Sequence, residues 1–130
     1  MLMGTPHEKR SAYSVSRPQG DRKDFDMAEI ARELARLQTG ADAQRVLFDW
    51  SQLRSWRFIA PTTAAIREWN ATTPEITRAA FIHDRKWDRH VALLSALLRV
   101  KGAEVRSFRC VDAERAAAWL NQTFQEDDPG

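Results

Sequence analysis

Two short, uninterrupted apolar runs constrain the fold of this chain more than any other feature of its sequence. "QRVLFDW" (44–50) and "ITRAAFIHD" (76–84) each contain apolar residues in direct succession. Such a run suits a strand that is covered on both faces, because a strand with one face in water alternates apolar and polar residues. Both segments therefore predict buried strands in a sheet with helices on each side.

The segments that flank these runs have the spacing of amphipathic helices. A first helix is predicted from the apolar spacing between Met27 and Leu37, with Asp26 as its N-cap residue. Gly40 then supplies a left-handed stop. A second helix is predicted over residues 60–70, where Pro61 occupies the first helical position.

The remaining elements complete an alternating order. A third helix is predicted from Trp87 to Leu98, before a stop at Gly102, and a last helix follows Asp112 as its N-cap. Weaker strand patterns occupy residues 12–16 and, nearer a sheet edge, 103–110. Because strands alternate with helices, the sequence predicts an α/β fold with a four- to five-stranded mixed, mostly parallel sheet and helices packed on it.

Length and composition fit one domain. The chain has 130 residues, of which 43% are hydrophobic and 29% charged. We expect flexible tails at residues 1–10 and 125–130 and a single domain over residues 11–124. Cys110 is the only cysteine, which excludes an intramolecular disulfide and a multi-cysteine metal or iron–sulfur site, and no cofactor is predicted.

Hydropathy and charge indicate the cellular location of the protein and the kinds of partner it binds. No stretch has the apolar length of a signal peptide or of a membrane span, so we expect a cytoplasmic protein. Twenty Lys and Arg residues against eighteen Asp and Glu residues leave a net charge of only +2. A nucleic-acid binder concentrates more positive charge on one face, so no nucleic-acid partner is predicted.

The stretch "HDRKWDRH" (83–90) looks most like a chemical site, but its spacing favours a strand end followed by a helix start. Asp84 is predicted to cap that helix, and Asp88 suits the positive end of the helix dipole. His83 and His90 are too far apart in sequence for the usual helical zinc pair, so no metal site is predicted. His90 is predicted to be a half-buried packing residue. His83 stays a functional candidate, because open α/β sheets bind ligands at the carboxyl ends of their strands.

The same rule predicts a basic binding edge. The segments that follow the strands carry four cations together with an aromatic side chain and an imidazole. We expect a site for a small anionic ligand or an acidic partner. Its predicted residues are Arg54, Trp56, Arg57, His83, Arg85 and Lys86. The alternative is that these are solvated loop charges.

No sequence pattern typical of nucleophilic catalysis is present. Ser51 and Ser55 lack a nucleophile-elbow sequence, and Cys110 has no neighbouring histidine. An uncharacterised enzyme that uses His83 with Asp49 or Cys110 is left as an alternative hypothesis.

Five tryptophans are many for a chain of this length. Each is interpreted first as a core or interface anchor. If Trp50, Trp56 and Trp69 lie together, they would make an apolar pocket or a dimer face, and dimerisation is the commoner use of such a patch.

Three segments carry a family resemblance. "RVLFDW", "ITRAAFIHDRKWDRH" and "AEVRSFRCVDAERAAAWL" resemble the SpoIIAA-like branch of the STAS domains, which are grouped with the Sec14 (CRAL-TRIO) fold. The matching features are a buried strand that ends in Asp49, a strand before a Trp87-containing helix, and a closing strand, acidic cap and Ala-Trp-Leu helix. They cover residues 45–120. The resemblance implies a bacterial protein, often a homodimer, with a sheet of four or five strands and no established enzymatic activity.

The resemblance also implies a mode of action. Members of the wider STAS group act by binding, typically as antagonists of anti-sigma factors, and are phosphorylated on a serine in an Asp-Ser-Ser-Gly-like pattern. The corresponding stretch here is "RSWRFIAP", which lacks that pattern, so the phosphorylated serine is not carried over and Ser55 is only the nearest hydroxyl. We therefore expect a non-enzymatic regulatory or protein-interaction module.

The Sec14 side of the kinship implies an alternative, a carrier of a small anionic or lipid-like ligand. A chain of this size has little room for both a core and a large enclosed cavity. A shallow groove, or a pocket shared across a dimer, is easier to accommodate.

Overall fold

A computed structural model describes residues 13–37 and 44–122 of the chain. The predicted stop at Gly40 and the predicted tails, residues 1–10 and 125–130, lie outside these ranges. None of the helices within them is long and apolar enough to cross a membrane.

The described residues form six strands and four α-helices. The strands are β1 (Ser14–Ser16), β2 (Gly20–Asp24), β3 (Arg45–Asp49), β4 (Leu53–Arg57), β5 (Arg78–Ile82) and β6 (Glu104–Phe108). The helices are α1 (Met27–Leu37), α2 (Thr63–Thr72), α3 (Asp88–Val100) and α4 (Ala113–Asn121). Short 3-10 turns, Arg85–Trp87 and Cys110–Asp112, lead directly into α3 and α4.

The main sheet has four strands in the order β1-β3-β5-β6, and every neighbouring pair is parallel. The α/β prediction and the mostly parallel sheet are confirmed. The central pair aligns Arg45 with Arg78 and Asp49 with Ile82, so the two apolar runs lie side by side.

The burial of β3 and β5 explains their continuous apolar sequence. Side chains alternate between the two faces of a strand, so neighbouring residues enter different halves of the core. Val46 and Phe48 pack with Phe81 in the larger half, beneath α1, α2 and α3. Leu47 packs in the smaller half, which is completed by α4.

A second sheet was not predicted. β2 and β4 form a separate parallel pair, and the register between them is irregular. β2 has the sequence "GDRKD", without an apolar residue, and β4 buries only Leu53 and Trp56, which are three positions apart. Neither segment has the two-residue period by which a strand is recognised.

The helix starts differ from the sequence expectations in detail. Asp26 does cap α1, because its Oδ1 accepts the backbone N–H of Ala28 at 3.0 Å. Thr62 rather than Pro61 begins the second helix as the N-cap, and Pro61 lies before it. Asp84 and Asp112 stand at N-cap positions, yet neither side chain makes a capping hydrogen bond.

Candidate functional site

An open cleft of about 480 Å³ lies where β5 and β6 end and the two 3-10 turns begin. The parallel sheet brings these strand ends to one edge, as the rule for open α/β sheets requires. The cleft is lined by His83, Asp84, Arg85, Asp88, Ser107, Phe108, Arg109, Cys110 and Val111. The structure therefore brings two of the predicted site residues, His83 and Arg85, to one place.

His83 is held in a defined orientation at the end of β5. Its ring Nδ1 lies 2.8 Å from the backbone carbonyl oxygen of Asp84. Because a carbonyl oxygen only accepts hydrogen bonds, Nδ1 carries the hydrogen, and in the neutral ring Nε2 is left as an acceptor. Asp88 Oδ1 lies 3.6 Å from Nδ1, and the His83 side chain is only 10% exposed.

Cys110 shares the cleft with His83, but its environment opposes a nucleophilic role. The thiol donates a hydrogen bond to Asp84 Oδ1, with a sulfur–oxygen distance of 3.4 Å. Burial first, and then the hydrogen bond and the negative charge of Asp84, raise the pKa of the Cys110 thiol above its usual value. The thiolate, which is the reactive form, is therefore disfavoured.

Asp49, the other proposed partner of His83, is already engaged. Its Oδ1 accepts hydrogen bonds from the N–H and hydroxyl of Ser51, and its Oδ2 accepts one from Arg17 at 3.0 Å. Partial burial raises the pKa of the Asp49 carboxyl, but these bonds outweigh it and the pKa is lowered. A base held in its charged form by three donors is poorly suited to accept a proton.

The predicted basic edge is divided between the cleft and a second surface. Arg54 donates to Asp21 at 2.8 Å and Arg57 to Asp24 at 2.9 Å, so both arginines are paired across the β2–β4 sheet. Lys86 donates from Nζ to the carbonyl oxygen of Arg54 at 2.9 Å. We call the exposed side of this sheet, together with Lys86, the β2–β4 face.

The paired acids of the β2–β4 face are held in their charged forms. A hydrogen bond from Ser55, then the hydrogen bond and charge of Arg54, lower the pKa of Asp21. The hydrogen bond from Arg57 lowers the pKa of Asp24. Ser55 therefore lies within β4 as a partner of Asp21, and not at the start of a helix.

Trp56 does not reach the solvent side of this face. It is 6% exposed and packs edge-on against Phe25, with ring centroids 4.9 Å apart. Trp50 and Trp69 are 2% and 0% exposed. The three tryptophans belong to one core cluster, so their first interpretation as core anchors is confirmed. They are too buried to form the alternative, an exposed apolar pocket or dimer face.

His90 is more deeply buried than predicted, at the centre of an aromatic cluster. Its Nε2 donates to the carbonyl oxygen of Trp56 at 2.7 Å, while its Nδ1 is buried without a hydrogen-bond partner. Phe25, Trp87 and Phe58 all lie with ring centroids within 5.3 Å of the imidazole. The prediction of a packing residue is confirmed, and the hydrogen bond adds a tether between α3 and β4.

Sequence reasoning missed part of the cleft. Arg109 and Val111 were not proposed, although they follow β6 and so reach the same sheet edge as His83. The rule about strand ends identifies them once the parallel order of β5 and β6 is known. Asp21 and Asp24 had no sequence signal, because their arginine partners are 33 residues away.

Comparisons with known proteins identify a family. A family model described as SpoIIAA-like matches residues 16–121, which span β3 to β6, the cleft and the β2–β4 face. No curated protein and no solved structure matches the chain.

His90 makes stability depend on pH. Burial lowers its pKa below the usual value of 6.5, and the charge of Arg89 acts in the same direction, while the bond to Trp56 opposes the shift. The unfolded chain therefore binds the proton more readily than the folded protein does. The free energy of unfolding is highest above pH 6.5, and it decreases as the pH falls from 6.5 through the pKa of His90 in the folded protein.

We expect the urea concentration at which half of the wild-type protein is unfolded to decrease when the pH is lowered from 7.5 to 5.5. The substitution His90→Gln removes the titrating group, so its midpoint is lower at pH 7.5 and changes less with pH. His83→Gln serves as the matched control. An unchanged slope in the His90 variant would contradict the assignment.

The raised pKa predicts a slow thiol at Cys110. Alkylation by iodoacetamide at pH 7.5 is expected to be several-fold slower than that of glutathione. Asp84→Asn removes the negative charge beside the thiol and is expected to increase the rate. A Cys110 that reacts as fast as glutathione would return the enzyme hypothesis to consideration.

Proposed function

The chain belongs to the SpoIIAA-like family, and we propose that it is a non-enzymatic regulatory or protein-interaction module that works in the bacterial cytoplasm as a homodimer. Domains of this family are generally regulatory or interaction modules. The family supports the proposed class of function. The β2–β4 face is the surface at which we propose that a partner binds.

The observation that carries the proposal is the exposure of the paired cations. The side chains of Arg54 and Arg57 are each 72% exposed. Exposed ion pairs contribute little to stability, since water competes for both charges. Arg54 and Arg57 can therefore exchange Asp21 and Asp24 for the carboxylates of a partner at little cost.

Neighbouring charges favour an acidic partner. Lys86 lies beside Arg54 and adds a third cation to the face. Complementary charge speeds association and selects partners more than it adds affinity. The buried aromatic cluster beneath the face gives it a rigid support, since Trp56 lies in the core.

The state of the two residues proposed to work with His83 supports a non-enzymatic role. The Cys110 thiol is held protonated, and the Asp49 carboxylate is occupied by Ser51 and Arg17. Neither is prepared to work with His83 in proton or acyl transfer.

The homodimer is tested by native mass spectrometry of the freshly purified protein. At a micromolar protein concentration we expect the mass of two chains. A monomer at every concentration up to about a hundred micromolar, where even weak dimers associate, would contradict the homodimer.

The β2–β4 face is tested by reversing its charge. The variant Arg54→Glu, Arg57→Glu, Lys86→Glu is expected to lose at least about tenfold of its affinity for an acidic partner protein, because like charges then oppose each other across the interface. Affinity capture followed by titration of the purified partner at two salt concentrations provides the measurement.

A matched control carries the same change in net charge elsewhere. Arg36→Glu, Arg67→Glu, Arg115→Glu alters three exposed residues on α1, α2 and α4. It is expected to bind the partner as the wild type does. Equal loss in both variants would mean that net charge, and not this face, governs binding.

A further inference from the structure

The cleft at the ends of β5 and β6 contains groups of both charges in equal number. Arg85 and Arg109 supply two cations, and Asp84 and Asp88 supply two carboxylates. A simple anion in this cleft would lie beside two negative charges, and a simple cation beside two positive ones. The balance favours a ligand that carries both charges.

The cationic side is free to bind. Among residues 13–37 and 44–122, neither Arg85 nor Arg109 has an ion-pair or hydrogen-bond partner for its guanidinium. Arg85 opens the 3-10 turn before α3, and Arg109 stands at the N-cap of the turn before α4. Both guanidinium groups line the cleft, so they are available to bind a carboxylate there.

The acceptor side is built around His83. Its Nδ1 hydrogen is used by the carbonyl oxygen of Asp84, which leaves Nε2 as an acceptor. Nε2 has no hydrogen-bond partner among the described residues, and the side chain that carries it is nine-tenths buried. Asp88 is 67% exposed beside the same ring, so its carboxylate is accessible from the cleft.

We propose that this cleft binds a small zwitterion, of which a free α-amino acid is the simplest form. Its carboxylate is bound by Arg85 and Arg109, and its ammonium group by Nε2 of His83 and the carboxylate of Asp88. The cleft volume of about 480 Å³ lies within the range of small-molecule sites. Phe108 supplies apolar surface for a side chain.

The site does not depend on the β2–β4 face, because the two share no residue. Val111, which lines the cleft, is 88% exposed, and we expect a ligand in so open a cleft to exchange rapidly. Solution NMR reports binding of that kind directly.

The test is a titration of the full chain, labelled with nitrogen-15, with each of the common L-amino acids at neutral pH. Acetate and ethylammonium, titrated separately, carry the two charges one at a time. We expect at least one amino acid to give saturable shifts at the backbone amides of residues 83–85 and 107–111. Acetate alone and ethylammonium alone are expected to bind at least about tenfold more weakly, because each makes half of the charged contacts.

Two substitutions separate the halves of the site. Arg109→Gln and Asp88→Asn are each expected to weaken binding of that amino acid about tenfold or more, since each removes one charged partner. Arg115→Gln on α4 is the matched control and is expected to leave binding unchanged. The variant with Arg54, Arg57 and Lys86 reversed also keeps amino-acid binding, so failure here is distinguishable from failure of the partner-binding face.

Two outcomes would overturn the proposal. One is the absence of saturable shifts at these amides with any amino acid up to about 10 mM, a concentration at which even weak sites fill. The other is equal affinity for acetate and for the amino acid, which would make the cleft an anion site.

Discussion

The rest of the structure depends on the parallel pairing of β3 with β5. Phe48 and Phe81 stack at the centre of this pair, with ring centroids 4.5 Å apart. Both strands are buried on both faces, so they need helices above and below, and the chain supplies α1 to α3 on one side and α4 on the other. The carboxyl end of β5, where His83 stands, is placed by the same pairing.

The second sheet is attached to this framework through aromatic packing and one buried hydrogen bond. His90 on α3 donates to the carbonyl of Trp56, and Trp50 contacts both Trp56 and Trp87. An unpaired strand edge exposes backbone groups that invite association. At β4, two side chains contact such backbone groups: His90 donates to the carbonyl oxygen of Trp56, and Lys86 donates to that of Arg54.

The two candidate surfaces follow from how these sheets are joined. The main sheet ends in the cleft, where charges of both signs surround His83. The second sheet has a ladder of exposed pairs between Asp21 and Arg54 and between Asp24 and Arg57. The two proposed sites, for a compact ligand and for a protein partner, are therefore separate on one domain. Arg85 belongs to the cleft and Lys86, the next residue, to the β2–β4 face.

The sequence by itself determined the framework. Short continuous apolar runs suit strands covered on both faces, and helical spacing specified the elements that cover them, so β3, β5, α1 and α3 were predicted. The strand-end rule placed His83 and Arg85 together at one edge of the sheet, where both line the cleft. These signals are local, or depend on a period that a single segment displays.

Only the tertiary structure decided the composition of the two surfaces. β2 and β4 pair across some thirty residues, and neither has a period that indicates a strand. Because these strands pair, Arg54 binds Asp21, Arg57 binds Asp24, and Trp56 lies in the core. Asp84 was predicted to cap a helix, but Cys110, 26 residues away, donates to it instead. Contacts between residues so far apart in sequence depend on which strands and helices lie next to each other in the fold. No single segment of the sequence indicates them.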